Sequence, residues 1–142
     1  MTETVVMDVE VRSPINRVWN ALTDPATLSK WMLFKTNDFK PIVGHTFQFK
    51  DAAGFPGSIN CEVTEVDEPH RLAYSWVSDH LGPSGLKHET VVTWTLTEAD
   101  GGVTRLHLEQ SGFQSGGKQE IGGAKYGWKM MLDQLQEVVA AA

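Results

Sequence analysis

The side chains most capable of chemistry in this sequence of 142 residues are five histidines and one cysteine. A zinc site needs ligands at short, regular spacing such as His-x-x-x-His, and no two of the histidines have that spacing. Cys61 has no basic residue beside it, so we expect an inert buried thiol, and a single cysteine cannot form an internal disulfide. We therefore predict no metal and no cofactor, and we assign no catalytic residue.

Four polar side chains are placed by strand parity on faces that are otherwise apolar. Successive residues of a strand face opposite sides of its sheet, so a polar residue in step with apolar neighbours points inward. A buried polar group without a hydrogen bond costs about 1–3 kcal/mol, so such residues bond to one another, hold water or contact a ligand. The predicted inward polar residues are His88, Thr90, Gln110 and the hydroxyl-bearing Tyr74.

Large aromatic side chains recur on the same inward faces and in the helical segments. Rings that hold a helix away from a bent sheet leave room for an apolar ligand, but rings fill an ordinary core equally well. The sequence leaves both interpretations open for each ring. The predicted lining of a ligand cavity consists of Trp31, Phe47, Phe49, Tyr74, Trp76, Trp94 and Tyr126, with the flexible Met130 beside them.

Three patterns define the elements that must position these residues. Apolar residues occupy every second position from Val5 to Val11, which predicts a strand with one buried face. Ser13-Pro14 and Asp24-Pro25 each place a capping side chain before a proline at the first helical position, so a short helix is expected after the first and a second short helix or turn after the other. From Phe39 to Leu108, alternation broken by turn signals predicts successive antiparallel strands.

The last segment, Ile121 to Val139, has the period of a helix with one apolar stripe. Gly127 is expected to allow a close backbone approach or a slight kink, and Trp128 is expected to pack on the sheet. Each glycine near the start, at Gly116-Gly117 and Gly122-Gly123, weakens the helix by about 1 kcal/mol relative to alanine. We therefore expect a first turn that is mobile or begins late.

Composition limits the class of protein. The 18 acidic and 12 basic side chains give a formal charge of -6 with no basic cluster, which excludes nucleic acid as a primary partner. No apolar run reaches the ~20 residues of a membrane span, and the residues after Met1 are acidic where a secretory signal is basic. We expect one cytoplasmic domain over residues 1–142, as a monomer or homodimer.

Several stretches of the chain together match the sequence motifs of one known family. They are Ser13–Pro25 with Leu28–Trp31, then Thr90–Leu96, Thr104–Leu106, Gln110–Phe113 and Gly127–Leu135. This set resembles the family named for activators of the heat-shock-protein-ninety ATPase, within the START-like domains of the SRPBCC superfamily. The resemblance implies an α+β helix-grip fold: a curved antiparallel sheet of six to seven strands wrapped around a long C-terminal helix, with two short helices after strand one.

Proteins that resemble this superfamily include ligand binders, lipid carriers, polyketide cyclases and chaperone cofactors. The leading hypothesis is non-enzymatic binding of a small hydrophobic or amphipathic ligand, with access through the loop Ser78–Lys87 and the glycine-rich start of the last helix. The eukaryotic co-chaperones carry their main ATPase-stimulating contacts on a separate N-terminal domain. We expect no counterpart of it before Met1, so a heat-shock chaperone is the alternative partner. A polyketide-cyclase-like enzyme relying on Tyr74, His88 or Gln110 is a third alternative.

Overall fold

The computed structural model of the chain describes residues 2–31, 39–49, 59–78, 88–114 and 118–141. Within these ranges the order of elements is β1 (Thr2–Val11), α1 (Ile15–Thr23), α2 (Pro25–Trp31), β2 (Thr46–Phe49), β3 (Ile59–Asp67), β4 (Arg71–Ser78), β5 (His88–Ala99), β6 (Val103–Gln114) and α3 (Lys118–Ala141). The strand, two short helices, further strands and long terminal helix follow the predicted order.

The strands of the described chain form one antiparallel sheet in the order β1-β6-β5-β4-β3-β2. Strands β2 to β6 pair with their neighbours in sequence, whereas β1 pairs with β6, so β1 and β2 are the two edges. The helix α3 packs against α1, α2 and β1. This six-stranded curved sheet around a terminal helix confirms the predicted helix-grip fold.

Strand parity predicts the buried face of β1 correctly. Val5 and Val11 are buried, and Met7 and Val9 are partly buried against the core. Val6, on the opposite parity, is 50% exposed. The alternation arises because every second side chain of a pleated strand points to the same side, so the apolar set reaches the core together.

The two short helices begin differently from each other. Asp24 caps α2 as predicted, since its carboxylate accepts the Thr27 N–H at 3.0 Å. The predicted Ser13 cap of α1 is wrong: the capping residue is Pro14, in an extended conformation without a side-chain hydrogen bond. Ser13 is instead buried, and its carbonyl accepts the Thr104 hydroxyl of β6 at 2.7 Å. The helix therefore starts one residue later than predicted, at Ile15.

A bulge near the end of β6 changes which side chains face inward. The β1–β6 register shifts between Glu3 and Thr4, opposite Gly112. Gly112 has a φ of 100°, which favours glycine, and a Cβ there would lie 3.1 Å from the Glu89 carbonyl oxygen. Because of this extra residue, Phe113, which would face outward in a regular strand, lies on the buried face with Gln110 and is 7% exposed.

The terminal helix α3 completes the core with a stripe of buried residues at helical spacing. The stripe was predicted, and its buried members are Trp128, Met131, Leu132, Leu135 and Val139. The helix begins at Lys118, earlier than expected, because packing of an amphipathic face outweighs weak local propensity. The expectation of close backbone contact at Gly127 is wrong, since only Met131 Cε, at 4.0 Å, lies near a Cβ placed there. No helix in the described ranges is long and apolar enough to cross a membrane.

Candidate functional site

Between the sheet and α3 lies a cluster of buried aromatic rings. Phe47 of β2 contacts Tyr74 of β4 edge-to-face at a centroid separation of 5.4 Å. Phe39, which precedes β2, packs on Phe47 at 4.8 Å. Sequence reasoning missed Phe39 as a member of this cluster: it placed Phe39 at the start of the predicted strands, whereas β2 begins at Thr46, and strand parity does not apply before it.

The second part of the ring cluster is built around Trp128 of α3. Its ring lies 5.4 Å from the ring of Trp76 on β4 and 5.5 Å from the ring of Trp94 on β5. Trp31 of α2 meets Trp94 edge-to-face at 6.1 Å. The prediction that Trp128 packs on the sheet is confirmed, and four tryptophans from four elements meet in one core.

A chain of hydrogen bonds runs through this core. The indole N–H of Trp128 donates to Gln110 Oε1 at 2.7 Å, and Gln110 Nε2 donates to Thr90 Oγ1 at 2.8 Å. The Thr90 hydroxyl in turn donates to the Trp76 carbonyl at 3.0 Å. Gln110 is 3% exposed and Thr90 6% exposed. The predicted inward placement of both residues is confirmed, and their polar atoms satisfy one another.

A separate hydrogen bond joins two of the buried rings. The indole N–H of Trp94 donates to the Tyr74 hydroxyl oxygen at 3.0 Å. Burial raises the pKa of the Tyr74 phenol well above its usual range, so Tyr74 stays protonated at any physiological pH. Tyr74 is therefore a permanent neutral O–H group inside the apolar core.

The sheet register places these polar side chains in adjacent rows. Tyr74 is paired with Val92, and Val92 with Gln110, so the three form one row across β4, β5 and β6. The next row pairs Trp76 with Thr90. Both rows lie toward the end of the sheet at which β4 ends and β5 begins.

The predicted lining residues fall into three groups. The structure buries Trp31, Phe47, Tyr74, Trp76, Thr90, Trp94 and Gln110 in the core. The backbones of Phe49 and His88 lie in strands, but their side chains are outside the described part, as are residues 79–87 of the predicted access loop. Tyr126 is 69% exposed and Met130 40% exposed, which corrects the expectation that they line a space between sheet and helix. Helical spacing puts them beside the buried stripe, not within it.

The face of the sheet that points away from the aromatic core carries polar side chains. An open groove of about 530 Å³ lies over the outward side chains of β2, β3 and β4, among them Gln48, Asn60 and Ser75. On β6, His107 faces outward as predicted, with its Nδ1 2.6 Å from Asp8 and its Nε2 3.3 Å from Glu109. The hydrogen bond to Asp8 raises the pKa of His107, with a smaller contribution from Glu109.

The described core contains few groups that ionise. Its buried side chains include no Asp, Glu, Lys, Arg or His. Burial raises the pKa of the Cys61 thiol far above its usual range, as expected for an inert cysteine. Across the described ranges no three His, Cys, Asp or Glu side chains are grouped to hold a metal ion.

A curved six-stranded sheet closed on an aromatic core by one long terminal helix defines the helix-grip class of START-like domains, a fold that fits ligand binding. A family model described as activator of Hsp90 ATPase homolog 1-like protein matches residues 12–140. The chain belongs to this family, as the sequence motifs predicted.

Several solved structures are similar to this chain. Protein MLL2253 from Mesorhizobium loti is 36% identical over 99% of this chain and 98% of its own, with a TM-score of 0.88. DynU16, a protein of the dynemicin biosynthetic locus, is 25% identical over 96% of this chain and 47% of its own, with a TM-score of 0.78. CalU16 from Micromonospora echinospora, at 24% identity over 97% of this chain and 76% of its own, shares the fold with a TM-score of 0.74. A search of curated proteins found no match.

Proposed function

We propose that this protein binds a small hydrophobic or amphipathic molecule between the sheet and α3, and that it does so without catalysis. The observation that carries the proposal is the hydrogen-bonded chain from Trp128 through Gln110 to Thr90, buried among aromatic rings. A core needs only apolar side chains to be stable, and a buried polar network rigidifies it and fixes one arrangement of its side chains. Such a network under the terminal helix suits the recognition of a ligand.

The chemistry of the described core supports binding rather than turnover. Its titratable side chains are Tyr74 and Cys61, and burial raises the pKa of both, so neither acts as a base at neutral pH. General acid–base catalysis works best with a group whose pKa lies near the working pH. Apolar burial, at about 25 cal/mol per Å² of surface removed from water, would supply the affinity.

Native mass spectrometry and tryptophan-fluorescence titration test this proposal. The probes are a fatty acid, a sterol and an aromatic polyketide, and three tryptophans of the site, Trp76, Trp94 and Trp128, report on binding. We expect a stoichiometric complex with at least one probe and a change in tryptophan emission. The absence of any complex across all three classes would refute ligand binding.

A second candidate function is the binding of a heat-shock chaperone, favoured by the family to which the chain belongs. The exposed Tyr126 and Met130 of α3 are apolar residues suited to contact with a partner. If this function holds, the chain should alter the chaperone's ATPase rate, and Tyr126→Ala should weaken the effect. Val6→Ala, at an exposed apolar residue of β1, is the matched control. An unchanged ATPase rate at micromolar protein would count against this function.

A third candidate is an enzyme of the polyketide-cyclase kind, favoured by the similarity to DynU16 of a biosynthetic locus. In that case His88→Ala or Tyr74→Phe should abolish turnover while the fold is retained. Circular dichroism of each variant separates loss of activity from loss of structure. Binding without turnover in the unmodified chain would favour the non-enzymatic proposal.

A further inference from the structure

The orientation of the Gln110 amide is fixed by its two partners. The Trp128 indole can only donate, so it must meet the amide oxygen. The Thr90 hydroxyl already donates to the Trp76 carbonyl, so it must accept from the amide nitrogen. Since an amide nitrogen carries two hydrogens, one Gln110 N–H remains without an acceptor among the described residues.

The second uncommitted hydrogen-bond donor, after the Gln110 N–H, is the hydroxyl of Tyr74. Its hydroxyl oxygen accepts the Trp94 N–H at 3.0 Å, and its own proton meets no acceptor in the described part of the chain. The pKa of Tyr74 is raised by burial, so this proton is retained. Each buried polar side-chain atom of the described residues has at least one partner. The Gln110 nitrogen and the Tyr74 oxygen each have one further hydrogen that is not donated to a described residue.

The two uncommitted donors lie in the same row of the sheet. Tyr74 and Gln110 flank Val92, a fully buried residue that adds no polar group between them. Two strand spacings place their Cα atoms roughly 10 Å apart. The rings of Trp76 and Trp94 contact Tyr74 of this row, and the ring of Trp128 hydrogen-bonds to Gln110.

The described part of the core also holds no charge that could neutralise an ionised ligand. No Lys, Arg or His is among the buried side chains of the described ranges. Moving an unpaired carboxylate into such a site is strongly unfavourable, since its desolvation is not offset by an opposite charge. These described side chains therefore disfavour fatty-acid anions and phosphates and favour neutral molecules that accept hydrogen bonds.

On the basis of the proposed binding function, we propose that the ligand is an uncharged aromatic molecule whose carbonyl or ether oxygen accepts hydrogen bonds from Tyr74 and Gln110. The flat faces of the rings that contact this row suit a planar ligand by stacked or edge-to-face contact. A hydrocarbon of the same shape would leave the two donors unpaired.

Three probes of nearly equal shape test this inference: fluorene, its ketone 9-fluorenone, and the anionic 9-fluorenone-2-carboxylate. Tryptophan-fluorescence titration at neutral pH should give a dissociation constant for the ketone about tenfold lower than for the hydrocarbon. The carboxylate should bind at least about tenfold more weakly than the ketone, because its charge is buried without a partner.

The variant Tyr74→Phe removes one donor and retains the ring. It should reduce the roughly tenfold preference for ketone over hydrocarbon to about threefold, because the Gln110 donor remains, while leaving fluorene affinity within about twofold. Ser75→Ala removes a hydroxyl from the outward face of the same strand and should keep the preference unchanged. If Tyr74→Phe does not fold, judged by circular dichroism, the three probes on the unmodified chain still decide.

Each outcome separates this inference from the binding function on which it rests. Equal affinity for ketone and hydrocarbon, or tightest binding of the carboxylate, would overturn the inference while the protein remained a ligand binder. Failure of all three probes would also overturn it. Only the additional failure of the fatty acid, sterol and polyketide probes would refute binding as well.

Discussion

Gln110 connects the helix to the sheet through polar atoms inside an apolar core. It accepts from Trp128 of α3 and donates to Thr90 of β5. Its parity on β6 was readable from the sequence, but its partners were not, because they lie 18 and 20 residues away in the chain. Substitution of Gln110 is expected to destabilise the core, because Trp128 and Thr90 each lose a hydrogen-bond partner.

Gln110→Leu should lower the free energy of unfolding by about 1–3 kcal/mol, because the buried Trp128 N–H is left without an acceptor. Urea denaturation followed by far-ultraviolet circular dichroism measures the loss. Adding Trp128→Phe removes the orphaned donor, so the double variant should lose less than the sum of the two single variants. Strictly additive losses would contradict a direct coupling between these residues.

The bulge in β6 shows how one element is set by one residue. Gly112 combines a φ of 100° with a close approach to the backbone of β5, and the bulge returns Phe113 to the buried face. A glycine within an alternating strand is a signal for a bulge. The sequence contains that signal, but the consequence for Phe113 follows only from the register.

Gly112→Ala should lower the free energy of unfolding by about 1–3 kcal/mol through backbone strain and contact with Glu89. Gly122→Ala is the matched control, since a Cβ there meets nothing within 4 Å and the residue lies within a helix. That substitution should raise stability by up to about 1 kcal/mol. Thermal and urea unfolding compare the two, and a neutral Gly112→Ala would show that the bulge tolerates a side chain.

The edge strand β1 is joined to β6 by a titrating contact, Asp8 to His107, with Glu109 as the second carboxylate. On β5, the residue paired with His107 is the uncharged Thr95. The next outward-facing pair along β1 and β6 is Glu10 with Arg105. The contact raises the pKa of His107 above its ordinary 6.5, so its stabilising effect is fully present below that pH. The effect is lost as the pH rises through the raised pKa.

Asp8→Asn should therefore destabilise the protein more at about pH 5.5 than at about pH 9, with the difference measured by urea denaturation at both pH values. The effect should be small because the contact is largely exposed and screened by solvent. Glu3→Gln, at another exposed position of β1, should give the same small change at both pH values. A larger effect of Asp8→Asn at the higher pH would contradict the assigned direction.

The molecule as a whole depends on α3 to close its core. The five buried residues of the stripe lie on a helix that comes last in the chain, while the sheet they cover begins with the first strand. Burial of each such side chain contributes about 1.5–3 kcal/mol, so together they are comparable with the total stability of a domain. Without the helix, the tryptophans of the sheet would face water.

A chain that ends at Gln114 should therefore show no cooperative thermal transition and should bind the dye ANS through its exposed rings. Calorimetry and ANS fluorescence of the truncated and full-length chains measure this. The variant Asp133→Ala, at an exposed position of α3, should unfold like the full chain. A cooperative transition of the truncated chain near the full-length temperature would show that the sheet folds alone.

The periods of apolar residues established the strands, the terminal helix and the inward side chains such as Thr90 and Gln110, because these patterns express which side of each element leaves water. Family motifs established the fold and its class. The burial of Phe39 and the inward turn of Phe113 depended on contacts between distant segments. The hydrogen-bond chain from Trp128 to Thr90, and the donors left unused on Tyr74 and Gln110, also required the assembled core, because a side chain's partner is set by proximity in space rather than by spacing in sequence.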